Sequence, residues 1–300
     1  MLLGILNSQA LGGVAKLYVA GGAAGKMSTS TDGTTWASQT SGFDTAPINA
    51  LTQAEGLYVA GGSNGTMTTS TDGTTWTSRT SGFGTSNVTG LTYGDSLYVA
   101  VGSAGKITTS PDAVTWTSRT SGFGTAGIWS VAFGDGLYVA VGNAGDLTTS
   151  PDGTTWTART SGFGSTTIYA VTYGDGLFVA AGWSYSAPNL IPLMRTSPDG
   201  INWTTRSSAF GANAINGVGF GDGLYLAVGT AGTLTTSPDG TTWTSRTSGF
   251  GSSEIEAVTY GSGLYVAVGA LGKITTSPNG ITWTARTSAF DNDGISAVTF

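Results

Sequence analysis

Apolar and polar residues succeed one another along this chain in blocks that repeat. An apolar segment of the type GLYVAVG is opened by Leu17, Leu57, Leu97, Leu137, Leu177, Leu224 and Leu264. It is flanked by other strand-length runs, as in Ile168–Tyr173 (IYAVTY) before it, and Leu147–Ser150 (LTTS) and Thr155–Thr160 (TWTART) after it. The runs of one unit are termed A, B, C and D in chain order. Gly-Asp-Gly separates A from B and Asp-Gly separates C from D, small residues that accept the positive φ of tight hairpin turns. The pattern predicts a four-stranded antiparallel meander. Strand B is apolar on both faces, as a strand covered on each side by neighbouring sheets must be, whereas strand D alternates and is more polar.

The spacing of the units decides the architecture. Trp36, Trp76, Trp116, Trp156, Trp203, Trp243 and Trp283 lie 40 residues apart except for one gap of 47, between Trp156 and Trp203. Seven units and one seven-residue insertion follow, and the leucine series gives the same count. A single meander cannot bury both of its faces, so the units must stack on copies of themselves, and four-stranded units of this length close radially. The expected fold is all-β, a seven-bladed β-propeller, with an open β-solenoid as the alternative. One Trp per blade, at ~200 Å² and ~25 cal/mol/Å², contributes at most about 5 kcal/mol. Ile48, Val88, Ile128, Ile168, Ile215, Ile255 and Ile295 begin seven good A strands, the last at the C-terminus. Ser8–Gly13 (SQALGG) occupies that register in the first unit but matches poorly. Residues 295–300 are therefore expected to pair with the N-terminal blade and close the ring. The expected organisation is a tail at 1–7 and one propeller at 8–300, with the insertion at about 183–193 in the fifth blade.

Composition narrows the chemistry. The net charge of −6, from 11 basic and 17 acidic residues, with no basic stripe, makes nucleic acid and anionic membrane poor partners. There is neither Cys nor His, which removes disulfides, thiol nucleophiles, imidazole bases and the usual zinc or iron sites. No cofactor and no metal are expected. Met1–Ala10 lacks the basic region of a signal peptide, and no apolar stretch reaches the roughly 20 residues of a membrane span.

The segments TSPDGTTW and STDGTTW resemble the Asp-box or BNR repeat of sialidase-like and photosystem-assembly-factor propellers. The resemblance covers nearly the whole chain. It implies that Asp32, Asp72, Asp112, Asp152, Asp199 and Asp239, with Asn279 in the seventh unit, brace the hairpin between the third and fourth strands together with a Ser, while the aromatic packs between blades. The spacing from Asp to Trp is one residue shorter than in that family, which predicts a tighter turn. These acids sit one per blade and cannot converge on a calcium ion, which needs 6 to 8 oxygens.

Sialidase-like hydrolysis would need, by the same resemblance, three arginines gripping a carboxylate, a Tyr and Glu nucleophile pair, and an acid Asp. Arg79, Arg119, Arg159, Arg206, Arg246 and Arg286 instead each follow a repeat Trp by three residues on strand D, and only Arg195 lies out of register. Glu254 and Glu256, two apart with side chains expected on one face, and Asp146 are the carboxyls that a divergent glycoside hydrolase would use. A non-enzymatic protein is the expectation.

Positions that differ among near-identical units are those that blade packing leaves free. They are the residue after the A-strand Ile or Val, namely Asn49, Thr89, Trp129, Tyr169, Asn216, Glu256 and Ser296, and the B-to-C loop, long only in the fifth unit at Gly182–Met194. In a meander blade both regions lie on one face, at the mouth of the central channel. Trp129, Tyr169, Trp183, Tyr185, Arg195 and Glu256 are the candidate ligand-binding residues, with packing between blades as the competing role for the aromatics. The expected function is recognition of a glycan or protein surface, as in a phage-tail or cell-surface adhesin, in an extracellular or virion setting. A divergent hydrolase and an intracellular assembly factor are the alternatives, and the sequence leaves the oligomeric state open.

Overall fold

In the computed structural model, which describes residues 16–300, the chain forms seven four-stranded antiparallel sheets arranged as a seven-bladed β-propeller. The tail expected at 1–7 and the Ser8–Gly13 segment lie outside the described residues. The fourth blade shows the plan, with strand A at Ile128–Gly134 lining the channel, B at Leu137–Gly142, C at Leu147–Ser150 and D at Thr157–Arg159 on the rim. The first blade takes its strand A from the other end of the chain. Ile295–Thr299 pairs antiparallel with Tyr18–Gly22, Ala20 facing Val298 and Gly21 facing Ala297, so the ring closes as the sequence predicts.

Strand B carries the packing because its two faces belong to two different interfaces. Val139 and Val141 pack with Ile168, Val171 and Phe178 of the fifth blade. Tyr138 and Ala140 turn the other way, onto Val99, Val101 and Ile107 of the third. Each such side chain contributes about 1.5–3 kcal/mol when fully buried. The tyrosine hydroxyl adds a bond across the interface. Tyr138 donates to the carbonyl oxygen of Gly94, Tyr98 to Ala54 at 2.9 Å and Tyr265 to Gly221 at 2.5 Å, in each case a residue of the preceding blade. Burial pushes these phenols up, that of Tyr98 to about 12.

The repeat tryptophans are less buried than the sequence suggests. Trp36 and Trp243 are 9% and 8% exposed, and the other five are half-buried. The fully buried anchors are the strand-B tyrosines and the phenylalanines of the SGF segments, such as Phe83 and Phe250. The indole has a second job, since its Nε1–H closes the C-to-D turn by donating to the carbonyl of the residue three before it, as Trp156 does to Gly153 at 3.0 Å.

The two hairpins of a blade differ. Between A and B, Asp135 and Gly136 at φ 48° and 70° form the tight two-residue turn expected. Between C and D the turn is wider than predicted, spanning the residues between Ser150 and Thr157. A carboxylate fills it: Ser150 Oγ–H and the N–H groups of Thr154 and Thr155 all donate to Asp152 Oδ1, at 3.0, 2.8 and 2.8 Å. The same bonds recur at Asp32, Asp72, Asp112, Asp199 and Asp239, and Asn279 makes them with its amide oxygen. The arginines of strand D also have a recurrent partner, Arg119 Nε–H donating to Thr109 Oγ1 of strand C at 2.9 Å.

Two measurements test this account. In hydrogen exchange, the amides of Ala297 and Val298 are expected to be as protected as those of Ala257 and Val258, since the terminal strand is an inner strand like the rest. Truncation after Gly294 is expected to cost more than one large-to-small core substitution, about 2–5 kcal/mol. The second concerns acid. The N–H of Thr155, then the hydroxyl and N–H of Thr154, hold the Asp152 carboxyl well below the usual carboxylate range, and Asp32, Asp72, Asp112, Asp199 and Asp239 are shifted the same way. An unfolded aspartate titrates near ~3.9, so this stabilisation is complete above that pH and is lost as pH falls below it. Replacing Asp72, Asp152 and Asp239 together by Asn is expected to flatten the fall of the thermal midpoint between about pH 4 and pH 2, and replacing them by Ala to lower the midpoint at neutral pH as well.

Candidate functional site

Every strand A contains a β-bulge, and every bulge is at the residue that varies between units. In the fourth blade Ile128 pairs with Gly142 and Ser130 with Val141, leaving Trp129 unpaired in the ladder. The same skip isolates Asn49, Thr89, Tyr169, Asn216, Glu256 and Ser296. A bulge re-aims a side chain without disturbing the pairing on either side, and the local sequence explains why one forms here. The strand-B residue beside each bulge is glycine, and at Gly142 a Cβ would stand 2.2 Å from the carbonyl oxygen of Gly127. Only a residue without a side chain lets the chain entering strand A pass so close.

The seven bulge residues converge on the channel mouth. They line a cavity of about 470 Å³ together with Pro47, Ser63, Asn87, Ser103 and Trp183. A second cavity lies between the A strands of all seven blades and is lined by the bulge residues together with aliphatic residues such as Leu51, Leu91, Val131 and Val171. One side of the mouth is aromatic. Trp129 and Tyr169 have ring centroids 5.6 Å apart at 41°, and Tyr169 stacks on Trp183 at 5.3 Å and 14°. Trp129, 38% exposed, is fixed by a hydrogen bond from Nε1–H to Asn143 Oδ1 at 2.6 Å. Burial pushes the Tyr169 phenol up. The polar bulge residues also tie adjacent blades, Asn49 Nδ2–H donating to the Val88 carbonyl at 3.2 Å and Thr89 Oγ1–H to that of Ile128 at 2.5 Å.

Trp183 enters the mouth because the insertion is not a loop. Strands B and C of the fifth blade run on as a hairpin, Leu177–Ser186 and Asn189–Ser197, with Trp183 facing Pro192 and Tyr185 facing Leu190. In the other six blades the connection is a three-residue turn such as Asn143–Gly145. Tyr185 stands further out on the hairpin, 67% exposed and outside the mouth lining.

The remaining predicted residues are scattered. Arg195 lies between the fourth and fifth blades, its guanidinium 5.6 Å from the centre of the Phe163 ring. It faces Ala180, the position that Thr148 takes against Ala140 in the fourth blade, and its Nε is buried without a partner. It is half-buried there and is not among the residues lining the mouth. Of the pair Glu254 and Glu256, Glu254 precedes the strand and is exposed, while Glu256 is half-buried in the mouth lining. Burial, then the charge of Glu254, push the Glu256 carboxyl up. Asp146 is exposed in a B-to-C turn. The seven turn residues from Asp32 to Asn279 sit one per blade, in the C-to-D turns, and among the described residues no three carboxylates gather as a metal site.

Pro47, Ser63, Asn87 and Ser103 were not among the sequence candidates. Comparison of the units carries a signal for them, because the residue before the A-strand Ile or Val and the first residue of the B-to-C turn both vary. The display and packing roles of the aromatics separate by stability. Tyr169→Ala, which removes a ring held between two others, is expected to cost about 1–3 kcal/mol in urea unfolding. Trp129→Ala is expected to cost under about 1 kcal/mol and Tyr185→Ala to stay within about 0.5 kcal/mol of the parent.

No family model matches the chain and no curated protein is similar to it in sequence, so the Asp-box resemblance rests on the turn motif alone. Solved structures share the fold. YCF48 from Cyanidioschyzon merolae is 16% identical, with 84% of this chain and 94% of that one covered and a TM-score of 0.61. YCF48 bound to D1 peptide is 17% identical, with 80% and 82% covered and a TM-score of 0.61. Virginiamycin B lyase from Staphylococcus aureus is 11% identical, with 81% and 84% covered and a TM-score of 0.70. At such identities the likeness is one of fold, and the fold is shared by a lyase and by a peptide-binding protein alike.

Proposed function

We propose that this protein is a recognition propeller that binds a segment of a partner protein in the channel mouth and does not turn it over. The observation that carries the reading is the coincidence of the variable position with the bulge in every blade. The varying side chains of strand A are ones that the ladder does not use, and they meet around one cavity. Such a surface can change its ligand while the ring stays intact. The D1 peptide bound by YCF48 supports the reading that a propeller of this architecture accepts a peptide. A catalytic reading has less support. Glycoside hydrolysis uses two carboxyls about 5 to 9.5 Å apart, and Glu256 is the one carboxylate among the residues lining the mouth.

A second reading, a glycan ligand, draws on the exposed indole of Trp129 beside the serine and asparagine groups of the same cavity, since aromatic faces also suit sugar rings. Peptide and glycan arrays probed with the purified protein decide between the two. Retention of peptides, abolished in the Trp129→Ala, Tyr169→Ala double variant, is the expected result. Retention of glycans alone selects the second reading. Binding that survives the double variant moves the site elsewhere, and release of reducing sugar during incubation overturns the non-catalytic assignment.

A further inference from the structure

The mouth holds a charge without a counter-charge among its lining residues. All 11 basic residues of the chain have places away from it. Six arginines lie on strand D with their Nε–H groups bonded to strand-C threonines, and Arg195 is held between blades over Phe163. Lys26 pairs with Asp291 and Asp293 at 3.0 and 2.9 Å. Lys106 and Lys273 donate to the carbonyl oxygens of Phe83 and Phe250 at 2.6 and 2.8 Å, and Lys16 stands 6.0 Å from the centre of the Phe300 ring. Glu256 is therefore the one charged side chain lining the mouth, and among the described residues no cation pairs with it.

The rest of the lining fits a positive ligand. In the ring of bulge residues Glu256, on the seventh blade, stands two blades from Tyr169 and three from Trp129, so the carboxylate and the aromatic wall face one cavity from different sides. Aromatic faces attract cations through the ring quadrupole, and a carboxylate supplies the charge-assisted hydrogen bond that a partly desolvated cation needs. The aliphatic stem of a lysine or arginine also covers aromatic surface while its head reaches a polar group.

Resting on the reading of the mouth as a recognition site for a protein segment, we propose that it takes a lysine or arginine side chain of that segment, the charged head at Glu256 and the stem along Trp129 and Tyr169. A seated cation would relieve the penalty that burial and Glu254 place on the Glu256 carboxylate. Tyr185, two residues beyond Trp183 on the same strand and therefore on the same face, extends the aromatic row outward to where the partner's backbone would continue.

The test uses n-butylammonium and its neutral counterpart butanamide, followed by the indole N–H resonances of Trp129 and Trp183 in the full chain, assigned with Trp129→Phe and Trp183→Phe. Saturable shifts are expected with butylammonium, with affinity at least about tenfold above butanamide. Glu256→Gln should abolish that preference, as should Glu256→Ser, the residue that the first blade carries at its bulge; unchanged thermal midpoints show that both variants fold. Equal affinity for the two probes, or a preference that survives both variants, overturns the proposal. A peptide with one internal lysine should bind more tightly than spermidine, and Tyr185→Ala should weaken the peptide alone; tighter binding of spermidine overturns the assignment to a protein partner. A neutral oligosaccharide that shifts the same resonances equally in the parent and in Glu256→Gln overturns the cationic ligand and leaves a recognition mouth. Silence of both indoles towards every probe overturns the recognition reading as well.

Discussion

The structure depends on one constraint: strand B of each blade is buried on both faces, and neither face can be covered by its own sheet. Val139 and Val141 need the fifth blade, Tyr138 and Ala140 the third. A blade at the end of an open stack would leave one such row in water, at about 1.5–3 kcal/mol for each large side chain. Closure removes the ends. It explains why strand Ile295–Thr299 returns to the N-terminal blade, and why most of the interface bonds from strand-B hydroxyls run the same way, from one blade to the one before it.

With the B strands fixed in this way, the A strands would present an alternating wall to the channel. The bulge interrupts that alternation at one residue per blade and uncouples what a side chain displays from what the ladder requires. Blade packing therefore constrains Ile128 and Val131, both buried in the interface core, and tolerates Trp, Tyr, Asn, Thr, Glu or Ser at the bulge between them. Architecture and recognition occupy neighbouring residues of one strand without competing.

The fifth blade shows how far a unit can depart from the plan. Its strand B has Phe178 in place of the tyrosine, so the hydroxyl bond to the preceding blade is missing while the ring remains buried. Arg195 replaces a threonine in strand C and finds an aromatic face and a carbonyl oxygen. Its strands B and C stay paired where the other blades turn, and they bring Trp183 over Tyr169. These departures accompany the stacked aromatic wall, so the least regular blade is the one that shapes the mouth most.

The sequence by itself determined the number of blades, the meander within each and the clasp of the termini, because these follow from period, turn residues and two-faced hydrophobicity, all of which are local. It also marked the variable positions, since internal copies expose them. Tertiary structure decided where those positions point. A bulge arises only when strand A is paired, and it takes Trp129 and its six counterparts out of the ladder. Closure around the ring, which brings Glu256 and Trp129 from blades more than a hundred residues apart in sequence to one cavity, has no local signature. The extension of strands B and C through the insertion is likewise a pairing property: Trp183, read from sequence as part of a loop, gained its place over Tyr169 from a partner strand.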